Sequence, residues 1–133
     1  MIEGSLKAMN LMTLLQSVAV SVTDTPMVVR VFEVNTMLGA VWLDGSKVLG
    51  CVVNEGLVVG EDAFLRLYSY PGIGGFRVYQ ANGDPFSNID KEGLEASGPL
   101  GDLPSLILRT ACRLDEETAS GAGTGLLDYE GLA

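Results

Sequence analysis

Apolar positions along this chain fall into blocks whose period changes from helical to alternating and back. Leu11, Leu14, Leu15, Val18 and Ala19 recur at helical spacing, and Asn10 ahead of them suits an N-cap; together they predict a first helix over about 11–20. Asp24-Thr25-Pro26 ends that pattern. Val28, Val29, Val31, Phe32 and Val34 are β-branched or aromatic and predict a strand. After the turn Asn35-Thr36, Leu38 to Leu43 and Val48 to Val53 predict two more. Asp44-Gly45 between them is the strongest hairpin signal, expected as a type I′ turn with both residues at positive φ. Gly50, inside the third strand, marks a bulge or a close approach of backbone.

Asn54-Glu55-Gly56 is a further turn, and Gly60-Glu61-Asp62 opens a second helix with acids where the helix dipole favours them. Ala63, Phe64, Leu67 and Tyr68 form its apolar stripe. Phe76, Val78 and Tyr79 alternate into a fourth strand with Arg77 facing outward, and Gly4-Ser5-Leu6 reads as a short extended piece at the start. Residues 80–101 are rich in Gly, Pro, Asn, Ser and Asp and predict a long connection with room for a short turn. Asp102 caps a third helix with Pro104 near its first turn and Leu106, Ile107, Leu108, Ala111 and Leu114 as apolar residues. Ser120 to Gly125 has the composition of a flexible linker. The order predicts an α+β domain over 1–117, a small antiparallel sheet of about four strands with three helices on one face, and an acidic Gly-rich C-terminal tail over 118–133.

Charge narrows the function. The 133 residues hold 17 acids, 8 bases and no histidine, a net charge of −9. That balance argues against binding the nucleic-acid backbone, and the missing imidazole excludes any triad, dyad or metal site that needs one. The last 19 residues carry five acids and no base, more than half of the net charge. Cys51 and Cys112 lie 61 positions apart in apolar stretches, outside any C-x-x-C pair; they read as buried thiols in a reducing cytosol, with a single disulfide left open. The N-terminus has an acid and no basic region, and the apolar stretch from Leu11 to Val22 is short and interrupted. A cytoplasmic protein without membrane insertion is expected.

Candidate chemistry is sparse. Gly72-Ile73-Gly74-Gly75 matches neither the Walker nor the dinucleotide loop and reads as a turn. Asp44, Glu61 and Asp62 lack EF-hand spacing, and Ser46-Lys47 reads as a solvated loop. No catalytic residue, cofactor or metal ligand is assigned, and no enzyme activity is expected. Trp42 has two readings, core packing and interface anchor. Met9, Met12, Met27 and Met37 are core fillers or an adaptable surface. Arg109 and Arg113 share a helix face with Glu116, as a solvated salt-bridge face or a docking face. In the tail, Leu126, Leu127, Tyr129 and Leu132 make a short apolar face among acids, fit for a partner's groove or simply solubilising.

Five stretches, in order, carry a family likeness: Gly4-Ser5-Leu6; Leu14-Leu15-Gln16; the hairpin from Gly39 to Val48; Gly60 to Leu67 running on to Gly75-Phe76-Arg77-Val78; and Leu106 to Glu116. Over residues 3–117 the chain resembles the PATAN-type domain, the N-terminal region of PatA-like bacterial regulators, formerly a domain of unknown function. It departs from that pattern at Tyr70 to Phe76, where the family often has a bulky residue, and at Thr23-Asp24-Thr25-Pro26, where Thr-Gly is common. The resemblance implies a regulatory or adaptor module that acts through protein contacts, with a response regulator or a small Ras-like GTPase system, in motility or cell-polarity control. The alternatives are a small-ligand sensor and a structural homo-oligomer, such as a homodimer formed through the sheet edge or the tail.

Overall fold

A computed structural model describes residues 2–21, 23–70 and 74–122, with side chains through Glu116. The chain runs β1 (Ile2–Ser5), α1 (Leu11–Ala19), β2 (Met27–Glu33), β3 (Thr36–Asp44), β4 (Lys47–Val53), β5 (Val58–Val59), α2 (Glu61–Tyr68), β6 (Gly75–Gln80), α3 (Lys91–Ser97), β7 (Gly101–Asp102) and α4 (Leu103–Ala122). Short 3-10 turns occupy Asn54–Gly56 and Ala81–Gly83. The strands form one sheet in the order β1-β6-β2-β3-β4-β5, and β7 pairs with Lys47 and Val48 at the start of β4. All the pairings are antiparallel. The α+β class and antiparallel sheet follow the expectation, but among the described residues seven strands and four helices replace about four and three. The extra strands are short edge pieces with too little alternation to register as strands. The extra helix, α3, lies inside the stretch whose composition suggests a loop.

Local chemistry explains several boundaries. Asn10 caps α1, its side-chain oxygen accepting from the backbone N–H of Met12 at 2.8 Å and of Thr13 at 3.4 Å. Asp102 does the same for α4, accepting from Ser105 N–H at 3.2 Å. The β3–β4 hairpin differs from expectation. Asp44 pairs with Lys47, so Gly45 and Ser46 are the central residues. Gly45 has φ 59° and Ser46 stays at negative φ, the type II′ arrangement, which matches strand twist with one glycine at the first position. Between Trp42 and Leu43 the register with β4 slips by one residue and leaves Leu49 as the bulge. Beside it, a Cβ on Gly50 would lie 2.5 Å from Leu94 Cδ1, so this glycine lets α3 come down onto β4.

The two faces of the sheet are covered unequally. On one face α1, α2 and α4 bury Leu11, Leu14, Leu15, Phe64, Leu67, Leu103 and Leu106 against Val29, Val31, Val41, Leu43, Cys51, Val53, Phe76 and Val78. The other face was expected to be bare of helices. It carries a smaller cluster of Val28, Ala40, Trp42 and Val52, with Leu49, Val59, Tyr79 and Leu94 packed against it. Residues 81–97 lie over this second face and bring α3 onto β4 and β5. α4 also runs on to Ala122, past the point where composition places the linker.

Candidate functional site

The second face holds the most concentrated chemistry among the described residues. Arg30 stands in the middle of β2, between the apolar Val28-Val29 and Val31-Phe32, and is fully buried. A guanidinium in that setting needs every N–H bonded. Its Nε donates to Asp84 Oδ1 at 2.9 Å, and one terminal nitrogen, NH2, donates to Asp84 Oδ2 and to Asp90 Oδ1, the latter at 3.1 Å. The other, NH1, donates to Asp90 Oδ2 at 2.8 Å and contacts Met37 Sδ at 3.2 Å. All five N–H groups therefore find a partner, and each carboxylate grips one edge of the guanidinium. The Arg30 Cζ also lies 5.4 Å from the Trp42 ring centroid and 5.5 Å from that of Phe86. Burial alone would lower the Arg30 pKa; the hydrogen bonds from Asp84 and Asp90 outweigh it and hold the pKa above its ordinary value.

Asp84 and Asp90 come from the segment beneath which Arg30 is buried. Asp84 Oδ1 also accepts from Phe86 N–H at 3.0 Å, a local turn that aims Phe86 inward. The Phe86 ring meets Phe32 at 5.7 Å and Tyr79 at 6.2 Å between centroids. Asp90 occupies the N-cap position of α3, yet its side chain makes no cap bond because both oxygens serve Arg30.

Beside this cluster lies an open cleft of about 440 Å³. Trp42, Leu49, Leu94, Pro26 and Ala81 supply its apolar surface, and Asp84, Ser87, Asn88 and Lys91 its polar rim. Trp42 is 5% exposed. It thus packs in the core, as one of its two readings has it, and also lines the cleft. The volume lies within the range of about 300–1,000 Å³ typical of ligand pockets.

The other expected site residues lie elsewhere. Arg109 and Arg113 face α2. Arg109 pairs with Glu61 at 3.4 Å and donates to the Leu100 carbonyl at 2.9 Å, and Arg113 pairs with Asp62 at 2.7 Å. The acids at the start of α2 are their partners, on the far side of the sheet from the cleft. Leu126, Leu127, Tyr129 and Leu132 lie outside the described residues. Of the methionines, Met12 and Met27 pack against the main core, Met37 touches Arg30 and Met9 is exposed. Cys51 is buried, and that burial pushes its thiol pKa up; Cys112 is exposed, contrary to expectation, and both are free thiols.

Arg30, Asp84, Phe86 and Asp90 were not singled out from sequence. One signal was available: Arg30 is the sole charge in Val28-Val29-Arg30-Val31-Phe32, and a charge on a buried face requires opposite charges from elsewhere in the chain. Among the described residues no group of three or more His, Cys, Asp or Glu is placed to hold a metal ion, and no helix is long and apolar enough to cross a membrane. No family model matches the chain, and no curated protein or solved structure shows significant similarity to it.

Proposed function

We propose that this chain is a non-enzymatic bacterial regulatory module of the PATAN type that binds a protein partner, and that the Trp42 cleft takes an apolar side chain of that partner. The partner class is a response regulator or a small Ras-like GTPase system in motility or polarity control, in the cytoplasm. The observation that carries the reading is the cleft: an apolar floor of Trp42 and Leu49 with a few polar groups at its rim. Binding hot spots have this form, a desolvated pocket bounded by groups that exclude water. The likeness at the five ordered stretches supplies the partner class. The paired Arg109 and Arg113 favour a salt-bridged face between helices over a docking face.

The test is affinity capture from bacterial lysate with the full chain, a chain ending at Ala122, and full chains carrying Leu49→Asp or Asn88→Arg. Both substitutions sit in the cleft lining, and Asn88 is exposed, so its replacement leaves the core intact. The expected result is capture of a receiver-domain protein or small GTPase by the first two and loss with the cleft variants. Capture that ignores both cleft variants, or none at all, overturns the assignment. A small-ligand sensor is the second reading, favoured by the cleft's volume alone.

A further inference from the structure

The cover of the second face makes few bonds to the sheet beneath it. Within residues 81–97 the backbone hydrogen bonds close on the segment itself: Asp84 N–H to Ala81, Ser87 to Asp84, Ile89 to Phe86 and Leu94 to Asp90. At its two ends, Ala81 N–H donates to the Pro26 carbonyl at 2.8 Å, and Ser97 Oγ accepts from Cys51 N–H at 3.1 Å. Between those ends, the polar ties to the sheet among the described residues are the bonds of Arg30 to Asp84 and Asp90. Apolar contact adds Leu94 against the small cluster and Phe86 against Phe32 and Tyr79. The segment satisfies its own backbone and covers the smaller cluster of Val28, Ala40, Trp42 and Val52, leaving the main core on the opposite face, so it can open without breaking the sheet. Here its opening also returns two carboxylates and a guanidinium to water.

We infer that residues 81–97 form a separately opening wall of the cleft, and that Arg30 is the positioning residue that latches it by gripping Asp84 and Asp90. The wall supplies Asp84, Ser87, Asn88, Lys91 and Leu94 to the cleft, so the cleft exists only while the latch is closed. Its bearing on partner binding rests on the reading of the cleft given above; the latch itself does not. Arg30 needs two acids because a single carboxylate would leave one edge of the buried guanidinium unbonded.

Amide hydrogen exchange on the full chain, without any partner, tests this directly. The probes are the amides of Leu94 and Gly98, bonded within the segment, against those of Val29 and Val41 in the central strands. Trp42, the chain's single tryptophan, adds an optical readout. In the unaltered protein the segment amides exchange at least about ten-fold faster than the strand amides. Asp84→Asn raises the segment's exchange by a further factor of about ten and shifts Trp42 emission to the red, with strand amides unchanged. Arg30→Lys, which keeps the charge but not the fork, falls between the two. Equal loss of protection in segment and strands overturns the inference, as does unchanged exchange and emission in Asp84→Asn. If Arg30→Lys fails to fold, Asp84→Asn still decides the matter. Failure of partner capture with normal latch behaviour points to the functional assignment instead.

Discussion

Arg30 sets the character of the second face at the scale of one residue. A buried ion pair broken by removing one partner ordinarily costs about 3–5 kcal/mol, because a charge is left without water or a counter-charge. Arg30→Met leaves Asp84 and Asp90 facing each other under the segment. If that segment opens on its own, the carboxylates escape to water and the global loss in denaturant unfolding stays below that range. The full penalty in one cooperative transition would show the segment to be part of the core. Cys51 yields a second prediction at this scale. Burial raises its thiol pKa, so the folded form keeps its proton where the unfolded chain ionises, near pH ~8.5. Its contribution to stability is complete below that pH. Above it, stability falls by about 1.4 kcal/mol per pH unit, until the folded thiol itself ionises. Urea unfolding at about pH 7.5 and about pH 9.5 measures the slope, and Cys51→Ala removes it. The burial of Cys51 was legible from its apolar stretch, whereas the pairing of Arg30 was not, since it meets its acids 54 and 60 positions away.

At the scale of elements, α1, α2, α4 and the four central strands β6, β2, β3 and β4 followed from periodicity and caps, because their apolar stripes face one shared core. Asn10→Ala removes a working cap and costs about 1 kcal/mol, read by thermal unfolding. α3 was hidden for a physical reason. Its sequence, Lys-Glu-Gly-Leu-Glu-Ala-Ser, contains one large apolar residue and a glycine, which costs about 1 kcal/mol in a helix interior. Tertiary contact overrides that propensity: a Cβ at Gly93 would lie 2.9 Å from Gly56 Cα and 3.0 Å from Val52 Cγ1. Gly93→Ala therefore improves the intrinsic helix propensity yet lifts α3 from β4. The expected outcome is a lower melting temperature and a red-shifted Trp42; a higher melting temperature would show that the contact yields. The hairpin differs from expectation because pairing runs on through Asp44 to Lys47, which moves the turn by one position.

At the scale of the whole fold, the described residues form one sheet with a thick cover on one side and a thin, charge-latched cover on the other. The thick side holds the main core beneath its helices, with Arg109 and Arg113 paired to the acids of α2 at its surface. The thin side carries the cleft, and Trp42 in its lining was singled out from sequence, where an aromatic beside a tight hairpin suits either a core or an anchor; the core packing is what the structure shows. The wall of the cleft was not legible, because it comes from a stretch with the composition of a loop. The most direct test of the account is titration of the full chain with the captured partner, followed by Trp42 fluorescence. The account predicts a saturable change in emission that Asn88→Arg weakens by at least about ten-fold, equivalent to about 1.4 kcal/mol. Tight binding by calorimetry with Trp42 emission unmoved and Asn88→Arg indifferent would place the partner on another face and contradict it.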